Sequence, residues 1–383
     1  MAKTSPLQRA ADDLAKGGSL TLGSVPDGFD ALVMADLARA LSRRAPERPA
    51  VLVVVARDGQ RQAQVENGLA FVAPDLEVLS LPAWDCQPYD RVSPNAAVSA
   101  RRMTVLSRLA RSRSGEERPR ILTTTVDAML QRVPQRRRIA GESFSAAPGN
   151  MVDTQALAGW LETNGFLRSS TVRETGEYAV RGGIIDLYAP GMPLPVRLDF
   201  FGDTLESIRS FDAETQRTVG QLRSLDLVPM SEVQLTTESI RRFRQAYVAR
   251  FGATTRDDTL YEAVSEGRRH PGLEHWMPLF NERLDTLFDY LDGAPLVLDG
   301  RTDEAAAERL GQVTDYYDAR KAALDKGAGT GAPPYKPLPP DALYLTQPQW
   351  VVALADASTV RLTPFAQPDA AAVLDLGGRQ GRG

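Results

Sequence analysis

Strand-like and helix-like segments alternate along the first 130 residues, and this order restricts the fold more than any other feature of the sequence. Residues 51–55 form a continuous apolar run rich in valine, which is typical of a strand covered on both faces. Residues 120–125 are predicted as another strand, and helical periodicity predicts helices at 58–72 and 96–110. Strands separated by helices predict a parallel sheet and therefore an α/β domain.

The pattern changes after residue 138 to short alternating runs separated by glycines. The run at 177–188 is predicted as a strand with a glycine bulge, and its period of two places Glu177 and Arg181 on one face. Gly202-Asp203 lies between two apolar runs and predicts a tight antiparallel turn. Mixed α/β character returns at 237–320, so we expect an α+β unit inserted into the α/β domain.

The 383 residues are enough for two to three domains. A Gly/Pro-rich linker is predicted at 327–340, and the final residues complete no element, so we expect a chain truncated at its C-terminus. The predicted domains are the first half of the α/β domain (1–135), the insert (136–216), the second half of the α/β domain (217–363) and a linker or the truncated start of a next domain (364–383).

Rare residue types exclude several kinds of chemistry. The chain has one cysteine, Cys86, and two histidines, so a disulfide framework and a Cys-rich metal site are excluded and no metal site is expected. A Gly-x-Ser-x-Gly nucleophile elbow does not occur in the sequence, and no catalytic residue is predicted. The first 20 residues lack the apolar core of a signal sequence, so we expect a cytoplasmic protein without a membrane partner.

The positions of the lysines exclude a standard P-loop. None of the five lysines follows a glycine, so the Gly-Lys step of that motif is absent from the sequence. Gly23 and Gly28 nevertheless have P-loop spacing, and a predicted helix begins after them. Phe29 stands at the lysine position, and Asp30 stands where a Ser or Thr would hold Mg²⁺. Spacing alone favours an ordinary Gly/Pro turn; the alternative is a P-loop that has lost its chemistry.

A second segment raises the same question. Residues 296–299 are an apolar strand that ends in Asp299, as in a Walker B motif, but Gly300 occupies the position of the catalytic glutamate. A strand followed by Asp-Gly is by itself more typical of a simple turn. Two degenerate motifs in the correct order along the chain are less easily dismissed as two unrelated turns.

Arginines concentrate between residues 99 and 138. This stretch contains eleven arginines and three acidic residues, a local charge of +8 in a protein whose net charge is −4. One interpretation is a surface for nucleic acid or an acidic partner, with weak DNA binding as its consequence. The other is a solvated helix face, because no aromatic residues are interspersed for base stacking.

Five further strings stand out: LPAWDCQPYD (81–90), TGEYAVRGGIIDLY (175–188), RLDFFGD (197–203), SFD (210–212) with TQR (215–217), and GLEHWMPLF (272–280). Together they resemble the N-terminal, UvrB-like module of bacterial transcription-repair coupling factor, Mfd, and the resemblance covers about residues 20–363.

The resemblance implies a degenerate, RecA-like and helicase-like domain split by an inserted domain that binds UvrA. It implies that this chain is not an enzyme and holds no cofactor, whereas ATP and Mg²⁺ act in motor domains of the full-length protein. RNA polymerase and DNA are partners of that longer protein. The implied process is DNA repair, namely the recruitment of nucleotide excision repair to stalled transcription, with an autoinhibitory role in addition. Only eight residues separate Asp90 from Ser99, too few for the DNA-clamping β-hairpin of UvrB.

The resemblance also points to individual residues. Arg181 best matches the family's UvrA contact, and its planar guanidinium suits a carboxylate on a partner. The neighbouring candidates are Arg168, Arg173, Tyr178 and Tyr188. An adaptor that binds UvrA is thus the first hypothesis; a DNA-binding module or ATP-dependent enzyme and a purely structural domain are the alternatives.

Overall fold

The computed structural model describes residues 6–44, 51–111, 120–255, 258–326, 335–368 and 370–379. The helices in chain order are α1 (Pro6–Ala15), α2 (Phe29–Arg44), α3 (Gly59–Val72), α4 (Ala96–Arg111), α5 (Val126–Leu130), α6 (Arg136–Gly141), α7 (Thr154–Thr163), α8 (Thr237–Phe251), α9 (Thr259–Ser265), α10 (Thr302–Asp325), α11 (Pro340–Leu343) and α12 (Gln347–Ala355), with 3₁₀ helices at Leu273–Phe280 and Leu287–Tyr290. The strands are β1 (Ser19–Gly23), β2 (Val51–Ala56), β3 (Glu77–Leu81), β4 (Arg120–Thr125), β5 (Phe144–Ala146), β6 (Leu167–Arg168), β7 (Glu177–Arg181), β8 (Ile184–Leu187), β9 (Val196–Phe201), β10 (Thr204–Phe211), β11 (Thr218–Leu222), β12 (Leu225–Leu227), β13 (Leu296–Leu298), β14 (Thr359–Leu362) and β15 (Val373–Asp375).

The main sheet has seven strands in the order β15-β1-β14-β13-β2-β4-β3, and every neighbouring pair is parallel. Its central strands are buried on both faces, as the apolar run at 51–55 predicts, because helices cover the sheet from both sides. The predicted α/β architecture is confirmed.

The second sheet belongs to the insert and has six strands in the order β11-β10-β9-β8-β7-β6. Four of its five pairings are antiparallel, and β6 pairs with β7 in parallel. It continues beyond residue 216, the predicted end of the insert, since β11 pairs with β10. A two-stranded sheet of β5 and β12 lies at the junction with the α/β domain. One face of the six-stranded sheet packs on α7.

The run at 177–188 is not one bulged strand. It is a hairpin of β7 and β8, and the chain turns at Gly182, whose φ is +60°, and Gly183. A Cβ atom on Gly183 would lie 2.8 Å from the carbonyl oxygen of Phe200, so this turn needs glycine to pass close to β9. Glu177 and Arg181 still share one face, as predicted. The turn at Gly202-Asp203 connects β9 to β10, also as predicted.

The sequence predicts a linker or the truncated start of a next domain at 364–383, but within the described residues up to 379 this segment contributes to the α/β domain. Residues 373–375 form β15, which pairs with β1 at the edge of the main sheet. The amide of Leu376 donates to the carbonyl of Gly23, and Leu374 and Leu376 pack against the core of the α/β domain. Among the described residues, 373–375 therefore form an edge strand of the main sheet. Most of the predicted 327–340 linker, residues 327–334, lies outside the described residues.

Helix α4 connects the two units because it packs on both sheets. Met103 and Leu106 belong to the core under the main sheet, whereas Ala100 belongs to the core of the insert. Residues 82–95, which connect β3 to α4, contain no strand.

Candidate functional site

The loop that connects β1 to α2 carries the P-loop spacing, and Asp299 follows β13, so both degenerate motifs lie at the carboxyl edge of the main sheet. Arg61 of α3 connects them. Its guanidinium forms an ion pair with Asp30, and its Nε lies 3.3 Å from Oδ2 of Asp299. The structure thus brings together the two acidic residues that the sequence singles out, and it places a cation of the chain between them.

The carboxylate of Asp30 accepts hydrogen bonds from backbone amides at the start of helix α2. The carboxylate is buried and accepts hydrogen bonds from the amides of Gly28 and Ala31, each at 2.9 Å. In a phosphate-binding loop, amides at the start of the helix face the phosphate. Here an internal carboxylate takes that position. Burial of Arg61 acts to lower the pKa of its guanidinium, but the charges of Asp30, Asp27 and Asp299 outweigh this effect and raise it.

Two further amides of the loop donate hydrogen bonds to the segment that follows β14. The amide of Ser24 donates to the carbonyl of Phe365, and that of Val25 donates to the carbonyl of Thr363, both at 2.9 Å. Ser24 has a φ of +56°, and its hydroxyl donates to Asp375 at 2.9 Å. In the described loop, these amides and the Ser24 hydroxyl therefore donate to other residues of the same chain.

Phe29 has a packing role at the lysine position. Its ring lies against the backbone of Gly378, where a Cβ atom would come within 2.8 Å of the ring, and it packs against the core that contains α2. Beside the loop is a cavity of about 520 Å³, and Gly300 belongs to its wall. Its charged lining residues are mixed in sign: Asp27, Asp30, Arg57, Arg61, Asp299, Arg301 and Arg361. The cavity is therefore not a concentrated anion site.

The six-stranded sheet of the insert has one face that does not pack on α7, and we call it the outer face. Alternation along the strands places these residues on it: Ala179, Arg181, Asp186, Arg197, Asp199, Phe201, Ser207, Arg209 and Phe211. A second, small core of Val172, Ala179 and Phe211 covers one end of this face. Gln216 closes that end through a hydrogen bond from Nε2 to the carbonyl of Val172, 3.0 Å long.

The opposite end of the outer face is open and carries Arg181. Asp186 is completely buried and accepts hydrogen bonds from Nε and Nη2 of Arg197 at 2.7 and 2.9 Å. The guanidinium of Arg181 pairs with the same carboxylate, yet half of the Arg181 side chain remains exposed. One carboxylate is thus shared by two cations, so this trio has an excess positive charge at the surface.

The other predicted contact residues differ in their surroundings. Arg168 and Arg173 are exposed. Tyr188 is partly buried against the small core, and its hydroxyl donates to the carbonyl of Pro193. Tyr178 is completely buried on the inner face, where its hydroxyl donates to Glu162 at 2.6 Å. Tyr178 is therefore a core residue, and its prediction as a surface contact is wrong because its strand position points it inward.

Sequence reasoning missed two exposed apolar side chains at the open end. Phe201 is 78% exposed and Met151 is 73% exposed. The signal was present for Phe201, because Val196, Leu198 and Phe200 alternate inward and leave the next position outward. Met151 pairs with Thr204 through an isolated bridge, which no local pattern reveals.

The described arginines of the 99–138 stretch are largely engaged within the molecule. Arg102 is buried against Glu232, and both Arg108 and Arg120 contact Glu77. Arg136 pairs with Asp292, Arg138 donates to Asn281, and Arg132 donates to Gln349. Arg113 and Arg118 lie outside the described residues. These contacts favour an internal structural role over a continuous surface for nucleic acid.

Within the described ranges, the helices are too short or too polar to cross a membrane.

Residues 144–233 match the family model of the UvrB interaction domain. The chain is thus a protein with a UvrB interaction domain inserted into a parallel α/β domain. It is similar to the transcription-repair-coupling factor of Haemophilus influenzae, with 32% identity over 302 residues, which cover 78% of this chain and 25% of the relative. The factor of Escherichia coli is 30% identical over 328 residues, covering 85% and 27%. That of Myxococcus xanthus is 35% identical over 301 residues, covering 75% and 24%.

The chain is a homologue of the N-terminal module of transcription-repair-coupling factors, and the resemblance noted in the sequence is confirmed. It spans about a quarter of the length of the curated relatives it matches.

Proposed function

We propose that this chain is a non-catalytic adaptor that binds UvrA and thereby recruits nucleotide excision repair to stalled RNA polymerase. The observation that carries the proposal is the shared carboxylate of Asp186. Because Arg197 already satisfies it with two hydrogen bonds, Arg181 has donors left for a carboxylate on a partner. The family match over 144–233, which contains the outer face, supports the same assignment.

The absence of catalysis in these residues is part of the proposal. It is supported by Asp30, whose carboxylate accepts the hydrogen bonds of amides that a bound phosphate would need. It is also supported by the backbone hydrogen bonds that Ser24 and Val25 donate to the segment after β14. Phe29 and Gly300 replace the residues that would neutralise the phosphates and activate water. ATP, Mg²⁺, DNA and RNA polymerase are then handled by other parts of a longer protein.

A titration of the purified chain with UvrA tests the proposal. Arg181→Glu replaces the free donors by a repelling charge, so we expect UvrA affinity to fall by about 30-fold or more, as for a central interface arginine. Arg283→Glu is the matched control, because Arg283 is an exposed arginine of the α/β domain. Equal affinities of the wild type and Arg181→Glu would contradict the assignment.

We propose in addition that the same surface has an autoinhibitory role in a longer protein. If another part of a longer protein covers the open end of the outer face, the present chain alone binds UvrA constitutively. A longer protein should bind more weakly in the same titration. Identical affinities would argue against autoinhibition without affecting the adaptor proposal.

A further inference from the structure

The apolar pair formed by Phe201 and Met151, here called the tip pair, lies beside the turn between β9 and β10. Phe201 pairs with Thr204 across this turn, and Thr204 pairs in turn with Met151. Directly paired residues point to the same face of a sheet, so the tip pair shares the outer face with Arg181. The hydroxyl of Thr204 lies 3.3 Å from the sulfur of Met151, as expected for neighbours in one row.

The tip pair and Arg181 belong to the same end of that face. Arg181 pairs with Ile184, Ile184 pairs with Asp199, and Phe201 is two residues further along β9. A separation of two strand spacings and two residues places the Cα atoms of Arg181 and Phe201 about 12 Å apart. The small core of Val172, Ala179 and Phe211 covers only the opposite end.

A single exposed apolar residue on a soluble protein needs no explanation. The tip pair differs because two large apolar side chains, each about three-quarters exposed, stand in one row on the same end of the face as the half-exposed guanidinium of Arg181. Aromatic residues, methionine and arginine are the types enriched at the centre of protein interfaces. Between the tip pair and Arg181, Asp199 is already neutralised by two hydrogen bonds from Arg209, at 2.9 and 2.8 Å.

We propose that the tip pair is the apolar anchor of the partner contact, and that the partner surface combines an apolar depression for Phe201 with a carboxylate for Arg181 about 12 Å away. This inference rests on the proposed function and adds to it the shape and chemistry that the partner must present. The excess charge of the Arg181–Asp186–Arg197 trio is what commits the partner to an acidic group at that distance. The aromatic ring supplies affinity, and the guanidinium supplies orientation.

The test is a calorimetric titration of UvrA with the wild-type chain, Phe201→Ala and Phe71→Ala. Phe71 is the matched control because it is an 88% exposed phenylalanine on α3 in the α/β domain. We expect Phe201→Ala to weaken binding by about 30-fold and Met151→Ala to weaken it by a smaller factor. Phe71→Ala should leave the affinity unchanged within about twofold. Because both phenylalanine side chains are exposed, the thermal unfolding midpoints should stay at the wild-type value.

The outcomes separate the two proposals. If Phe201→Ala binds like the wild type while Arg181→Glu does not, the tip pair is not the anchor and the adaptor proposal stands. If Phe71→Ala weakens binding as much as Phe201→Ala, the apolar contact is non-specific association and the proposal that the tip pair is the anchor is refuted. If the wild-type chain does not bind UvrA, both proposals are overturned.

Discussion

Arg102 and Glu232 form an ion pair that joins the α/β domain to the end of the insert, with the arginine side chain completely buried. Nε and Nη2 of Arg102 lie 2.6 and 3.2 Å from the two carboxylate oxygens. Nη1 donates to the carbonyl of Pro82, and Nε1 of Trp84 donates to Glu232 at 3.0 Å. The hydrogen bonds of Arg102 and Glu232 therefore join helix α4, the segment after β3 and the end of the insert.

Breaking this pair from one side should destabilise the protein strongly. Glu232→Gln leaves the guanidinium of Arg102 buried without its counter-charge, so we expect a loss of about 3–5 kcal/mol in the free energy of unfolding. Urea denaturation followed by fluorescence measures it. The control is Arg101→Met, which removes an exposed neighbouring arginine and should change stability by less than about 0.5 kcal/mol. A loss below about 1 kcal/mol for Glu232→Gln would show that the buried pair does not hold the junction together.

The pair of Asp30 and Arg61 permits a similar comparison at the nucleotide-like loop. Asp30→Ala removes the acceptor of two loop amides and one partner of a buried guanidinium, and it should cost about 3 kcal/mol. Asp27→Ala is the control, because that carboxylate is 78% exposed and only borders Arg61 at 3.4 Å. Chemical denaturation of both variants tests the difference. Equal effects would mean that the acceptor role of Asp30 contributes nothing.

Restoring the motif residues should not restore nucleotide binding. In the triple variant Phe29→Lys, Asp30→Ser and Gly300→Glu, the amides of Ser24 and Val25 remain bonded to the segment after β14, and Arg61 loses its main counter-charge. We expect no binding of Mg·ATP at millimolar concentration by calorimetry. Saturable binding would show instead that the identities of these side chains alone abolish the site.

The free energy of unfolding should decrease as the pH is lowered below about 6.5, because of His275. Burial lowers the pKa of its imidazole to about 4, so the ring is neutral in the folded protein. Between about pH 6.5 and 4 the unfolded chain takes up a proton that the folded chain does not, and this costs up to about 1.4 kcal/mol per pH unit. His275→Phe retains ring contacts with Trp84 and Tyr89 but cannot titrate. Its loss of stability between pH 7 and 5 should be roughly 2 kcal/mol smaller than that of the wild type; identical losses would contradict the assignment.

The sequence predicted the elements that depend on local pattern. The valine-rich strand at 51–55 and the turn at Gly202-Asp203 have strong local signals and form as expected. Tyr178 was misassigned because the face it occupies depends on which side of the sheet α7 covers, a tertiary fact. Arg61 was not predicted as the link between Asp30 and Asp299, since helical periodicity assigns a charged residue to the solvent side. Met151 likewise depends on a contact 53 positions away.

The short strand β15 also bears on the colloidal behaviour of the protein. If residues 370–379 were removed, β1 would become the outermost strand of the main sheet and would expose a row of unpaired backbone donors and acceptors beside an apolar core. Such an edge is a template for pairing with another molecule. Shortened versions of the chain that end before residue 370 should therefore self-associate, whereas versions that keep β15 are protected by its three residues of strand.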